Sequence, residues 1–160
     1  MKQFLSLRNL TYAAVIAALY CVITLFVPIL SGFQGNFQLR VAEAFTLLPV
    51  IMPAAVPGVF VGCLLSNILG GATIFDIVFG SVATLMAGLL TYKLRNHALW
   101  IAALPPVIVN MFVVGPVLSI TFGLPMIASI LWVGLGQVCA CYLLGIPLIL
   151  SLKKAPFLSE

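Results

Sequence analysis

Residues 40–76 read RVAEAFTLLPVIMPAAVPGVFVGCLLSNILGGATIFD, and the fold turns on this stretch. It holds Glu43 and Asp76, two of the three acids of the 160-residue chain, and Arg40, one of its seven Lys and Arg residues. The rest is almost unbroken apolar sequence. An ionised side chain at the centre of a membrane helix costs at least ~2.5–3.5 kcal/mol on insertion scales. A chain this poor in charge is not expected to place three there by accident. Two short apolar runs inside the stretch are joined by Pro53-Ala-Ala-Val-Pro57. The pattern predicts a tight membrane hairpin with its charged ends on one side, and that side is expected to carry a small-molecule site.

The composition sets the class. The chain is 64% hydrophobic and 6% charged, with a mean hydropathy of +1.30. A soluble domain of this size must cover far more of its surface with charge, so the expectation is a single integral membrane domain. The net charge of +4 does not point to nucleic acid. Lys2 and Arg8 precede the first apolar run, Lys93 and Arg95 sit at a break, and Lys153 and Lys154 follow the last run. Those are the flanks of membrane segments, where the positive-inside rule puts basic residues. The four cysteines lie inside apolar runs. Cys139 and Cys141, two apart, point to different faces of a helix and make a poor metal pair.

The apolar runs predict an all-α membrane protein of six transmembrane helices, at about residues 10–30, 41–52, 57–70, 75–92, 98–114 and 126–150, with both termini cytoplasmic. The first is read as retained, because no A-x-A-like cleavage site follows it. It carries Ala13, Ala14, Ala17 and Ala18, two interleaved A-x-x-x-A pairs that suit close helix packing, within the chain or against a partner. Residues 31–39 form a polar loop, a connector or a lid. The run at 41–52 gives ~18 Å of α-helix, too short to span a ~30 Å core. Pro57 suits the first turn of the third helix, and Asp76 the positive end of the fourth. Residues 115–125 are expected as a second outside loop. On this topology six of the basic residues lie inside, and Arg40 alone lies outside.

No catalytic constellation stands out. His97 sits in a basic turn, and no G-x-x-x-x-G-K-[ST] phosphate loop is present, so the chain is not expected to be an ATP-driven pump by itself. What remains is a set of polar side chains at one depth: Arg40, Glu43, Asn67, Asp76 and Asn110, with Gln137 nearer the middle. Lipid cannot satisfy such groups, so they face each other or a ligand. Glu43 has two compatible readings, a salt bridge to Arg40 three residues away and a ligand contact. Asp76 is a helix cap or a ligand contact, and Asn110 and Gln137 are interhelical partners or ligand contacts.

The runs RVAEAFTLLPV (40–50), PGVFVGCLLSNILGG (57–71) and DIVFGSVATLMAGLLTY (76–92) resemble the QueT family of membrane transporters. The resemblance implies an S-component-like bundle, the substrate-binding subunit of an energy-coupling factor (ECF) transporter for queuosine precursors, which are 7-deazaguanine bases. It also implies a transmembrane coupling subunit and two ABC ATPase subunits as partners, which use the ATP, with no cofactor in this chain. An alanine motif in the first helix of such proteins packs on the coupling subunit, which turns Ala13, Ala14, Ala17 and Ala18 toward an intermolecular role. A carboxylate accepts the paired N–H donors of a guanine-like edge. Glu43 and Asp76 are thus the expected acidic contacts, with amides for the carbonyl, and Phe37, Phe45 or Trp132 to stack on the base. Residues 31–39 would be the lid. The alternatives are an S component for riboflavin, thiamine or folate, a stand-alone secondary carrier, and a scaffold or small membrane enzyme.

Overall fold

The computed structural model describes residues 6–26 and 40–154. Among them the chain is all-helical, in six helices. Helix α1 is Leu7–Phe26, α2 is Val41–Val50, α3 is Ala55–Leu69, α4 covers 74–93, α5 is Leu99–Phe122 and α6 is Met126–Lys153. Helices α1, α5 and α6 are long and apolar enough to cross a membrane. The outer surface is apolar: Phe26, Phe75, Phe112, Ile127 and Leu143 are among many large hydrophobic residues left exposed. Water would not tolerate such a surface on a monomer, whereas lipid is its natural solvent.

Helix α2 lies at the centre and packs on α1, α3, α4 and α6. Ala42, Glu43, Ala44, Thr46, Leu47, Leu48 and Pro49 are all buried, so nearly its whole circumference is covered. A segment buried all round takes its shape from its neighbours. It winds as a 3₁₀-helix rather than the short α-helix expected over 41–52. At ~2.0 Å per residue its ten residues reach ~20 Å. The Thr46 hydroxyl closes one turn by donating to the Glu43 carbonyl at 2.6 Å.

Helices α1 and α3 meet through small residues. A Cβ on Gly62 would lie 2.7 Å from Tyr20 Cβ, and one on Gly58 3.0 Å from the Ala13 carbonyl oxygen. The G-x-x-x-G of Gly58 and Gly62 therefore lets the α1 backbone, at Ala13, Ile16, Ala17 and Tyr20, lie directly on α3. Buried residues on α1 recur as Ile16, Ala17, Tyr20, Cys21 and Thr24, the stripe of one helix face.

The largest departure from the sequence expectation is in α5, which continues through 115–122 instead of ending near Val114 in an outside loop. Gly115 is a crossing point, since a Cβ there would come within 2.8 Å of Ile130 Cα on α6. Pro116 is accommodated inside the helix. The stop comes at Gly123, in the left-handed conformation (φ 65°), whose N–H bonds to Ser119 O, with Pro125 two residues beyond. At the opposite end, a tight turn over 94–98 follows α4, and α5 has a break at Ala103 just before Pro105-Pro106.

Candidate functional site

Helix α4 opens at Ile74, two residues before Asp76, because Thr73 supplies the cap. The Thr73 hydroxyl accepts from the Asp76 N–H at 3.3 Å and donates to Asp76 Oδ2 at 2.8 Å, using the T-x-x-D spacing of a capping box. Asp76 thus stands inside the first turn. The next residues, Asp76–Gly80, wind as a π-turn, and a second π-turn covers Cys139–Gly145 in α6. Such turns leave the i→i−4 ladder and cluster at functional sites. Both of these adjoin the polar residues of the bundle.

Those polar residues are buried: Arg40, Glu43, Asn67, Asp76, Asn110 and Gln137 are each at most 8% exposed. Glu43 is the hub. Tyr20 Oη donates to its Oε1 at 2.5 Å and Asn110 Nδ2 donates to its Oε2 at 3.3 Å, with Gln137 across the same small cavity. Helices α1, α2 and α5 are joined through one side chain. Arg40, at the start of α2, lies within electrostatic reach of both Glu43 and Asp76. Asn67 Nδ2, at the end of α3, donates to the Asp76 carbonyl at 3.2 Å and to Cys63 Sγ at 3.5 Å. Cys63 also accepts from the Thr84 hydroxyl at 3.3 Å, and Cys141 Sγ donates to Gln137 Oε1 at 3.8 Å.

Arg40, Glu43, Gly80, Thr84, Asn110, Val114, Val133 and Gln137 enclose a cavity of about 10 Å³. That is the space of a single water molecule. A heteroaromatic ring enters only if the surrounding helices part, so the site as it stands is closed around its own hydrogen bonds.

The structure therefore brings Arg40, Glu43, Asn110 and Gln137 around one cavity and sets Asn67 and Asp76 beside them. Trp132 is elsewhere. On α6, Ser129, Val133 and Gln137 form the buried stripe, and Trp132, one position off it, is 44% exposed on the outer face. Phe45 packs against the apolar core, and Phe37 lies outside the described residues. Tyr20, Cys63, Thr84 and Cys141 are members of the network that the residue types alone did not single out. Tyr20 had a legible signal, since it repeats with Ile16 and Thr24 on one face of α1. Among the described residues no cluster of His, Cys, Asp and Glu could hold a metal ion.

The alanine motif is divided by the packing. Ala13 and Ala17 lie under α3 against Gly58 and Gly62, whereas Ala14 and Ala18 are exposed. Ala13, Ala14 and Ala17, with Val56, Pro57, Phe60 and other apolar residues, line an open groove of about 580 Å³ between α1, α3 and α4.

A helical bundle with a lipid-facing exterior and a closed polar centre has the build of a membrane protein that handles a small polar solute. Residues 10–154 match the family model of the QueT transporter, and the chain belongs to that family of membrane transporters. No curated protein and no solved structure matches it.

Proposed function

We propose that this chain is the substrate-binding S component of an ECF-type ABC importer and that its substrate is a queuosine precursor, a 7-deazaguanine base in its cyano, aminomethyl or queuine form. One observation carries this beyond family membership. Six polar side chains, two of them acids, are withdrawn from lipid and water to a single region where α2 meets α1, α4, α5 and α6. Hydrophobic packing needs none of them. Burying them is favourable only where they satisfy one another or a ligand.

A base of this class offers ring N–H and exocyclic amine donors beside a carbonyl acceptor. The Glu43 carboxylate suits the first two in charge-assisted bonds, and the Asn110 and Gln137 amides suit the third. Entry requires the network to exchange internal partners for ligand partners. The 3₁₀ winding of α2 and the π-turns at Asp76–Gly80 and Cys139–Gly145 are the weakest-wound segments in contact with it. The polar segment 31–39, read from the sequence as the lid, lies outside the described residues.

The transport cycle needs partners, because the chain carries no phosphate loop. A coupling subunit and two ABC ATPase subunits would supply the energy, and the exposed Ala14–Ala18 face of α1 with its adjoining groove is the surface offered to the coupling subunit. In this scheme six segments cross the cell membrane and both termini are cytoplasmic. Basic residues then lie inside, except for Arg40 at the outer end of α2.

Titration of the purified chain in detergent with 7-cyano- and 7-aminomethyl-7-deazaguanine, queuine, guanine and riboflavin tests the reading. Saturable binding of a deazaguanine, weakened at least tenfold in Glu43→Gln, is the expected result. Riboflavin binding, or no binding of any deazaguanine, would remove the substrate assignment.

A further inference from the structure

The two acids of the site are not equivalent. Both oxygens of Glu43 already accept hydrogen bonds, from Tyr20 and Asn110. Asp76 uses only Oδ2, for Thr73, and its Oδ1 is buried without a hydrogen-bond partner. Asn67 is in the same condition: both bonds from Nδ2 are made, and its Oδ1 is buried without a partner. The two residues adjoin, through the bond from Asn67 Nδ2 to the Asp76 carbonyl, and both are more than nine-tenths buried. The Asn67 amide nitrogen lies 3.4 Å from where a Cβ on Gly80, a residue that lines the cavity, would stand.

Buried acceptors without donors are costly, and native proteins keep few of them. Here two of them, both acceptors, occur on adjoining residues. Formal charge points the same way. Arg40 lies within electrostatic reach of both Glu43 and Asp76, one formal positive charge against two negative. In a low-dielectric interior a ligand group bearing one positive charge and only donors completes both the charge balance and the hydrogen bonding.

We propose that Asp76 Oδ1 and Asn67 Oδ1 form an acceptor subsite that receives a cationic amine of the ligand, and that Glu43 serves the base itself. This rests on the reading of the chain as a deazaguanine-binding subunit, and it selects within that class. Forms carrying an aminomethyl or substituted aminomethyl group at the 7-position are bound in preference to the neutral cyano form.

The test is a binding titration of the full chain in detergent with 7-aminomethyl- and 7-cyano-7-deazaguanine, two ligands that share the ring and differ in the amine. The wild type should favour the aminomethyl form by about tenfold or more. Asp76→Asn and Asn67→Leu should erase most of that preference while changing cyano binding by no more than about threefold. Glu43→Gln should weaken both ligands in parallel and leave their ratio intact. Equal losses for both ligands in Asp76→Asn, or no loss for either, overturn the subsite.

Replacement of sodium by choline supplies a further arm. If it weakens wild-type binding but not that of Asp76→Asn, the two oxygens hold a metal cation and the amine assignment is wrong. A wild type that ignores both deazaguanines but binds cationic thiamine through Asp76 would refute the proposed function and keep the subsite. Thiamine binding that survives Asp76→Asn, or no binding of any of these probes, overturns both.

Discussion

The Tyr20 hydroxyl donates to Glu43 Oε1 at 2.5 Å, joining α1 to α2 inside the bundle. A carboxylate in this setting is stable only while its oxygens are occupied. Tyr20→Phe removes one donor without changing the shape of the core. The expected loss is about 1–3 kcal/mol of stability, the range for unpairing a buried polar group. Thermal unfolding in one detergent measures it. In a double-mutant cycle with Glu43→Gln the two losses should be coupled by at least ~0.5 kcal/mol; strictly additive losses would show that the bond carries no stability.

Two glycines give opposite expectations. A Cβ on Gly62 would meet Tyr20 Cβ at 2.7 Å and the Ala17 carbonyl oxygen at 3.0 Å, so Gly62→Ala must push α1 away from α3. Overpacking of this kind costs about 1–3 kcal/mol. At Gly88 in α4 the nearest atom is Val59 Cγ2 at 3.6 Å, an ordinary contact. Gly88→Ala should therefore be neutral or gain up to ~1 kcal/mol from reduced backbone entropy. Melting temperatures of the two variants in the same detergent decide the matter, and equal values would mean that the close approach of α1 to α3 is misplaced.

Ala14 and Ala18 are exposed, whereas Ala17 is buried under α3. Ala14→Trp and Ala18→Trp should leave folding and ligand binding in detergent unchanged. Uptake by cells that also produce the coupling and ATPase subunits should fall by tenfold or more, about the effect of losing one well-packed contact. Ala17→Trp should instead fail in the isolated chain. Normal uptake by both exposed-face variants would move the coupling surface elsewhere.

The proposed topology of six crossings would place both ends of the chain and the turn at 94–98 on the cytoplasmic side, with residues 123–125 outside. Reporter fusions active on only one side of the membrane, joined after residues 97, 124 and 154, should read inside, outside and inside. Matching readings from positions 97 and 124 would show that α5 does not cross.

Membrane residence and an all-helical build were legible without coordinates, because they follow from the one-dimensional pattern of apolar runs, prolines and basic flanks. The end of α5 was not. Gly115-Pro116 looks like a breaker in sequence, but its glycine is spent on the crossing with Ile130, and the stop belongs to Gly123 and Pro125. Nothing local distinguishes a glycine that ends a helix from one that admits a neighbour.

The residue types of the site were likewise visible, since a charge in an apolar chain draws notice wherever it stands. Arg40, Glu43, Asn67, Asp76, Asn110 and Gln137 could be named from composition alone. Which of them share a cavity could not, because helix periodicity carries little information when nearly every position is apolar. Trp132 fell on the outer face for that reason, and Tyr20 was marked only by its spacing with Ile16 and Thr24.

The sequence by itself determined the solvent of this protein, its helical class and the stock of polar groups it must bury. Only the tertiary structure decided how those groups are shared: Glu43 saturated by Tyr20 and Asn110, Asp76 and Asn67 left with open oxygens, Ala13 and Ala17 turned inward and Ala14 and Ala18 outward. The physical reason is that burial cost is a property of each residue, whereas its repayment depends on partners from other helices that only packing brings within 3.5 Å of one another.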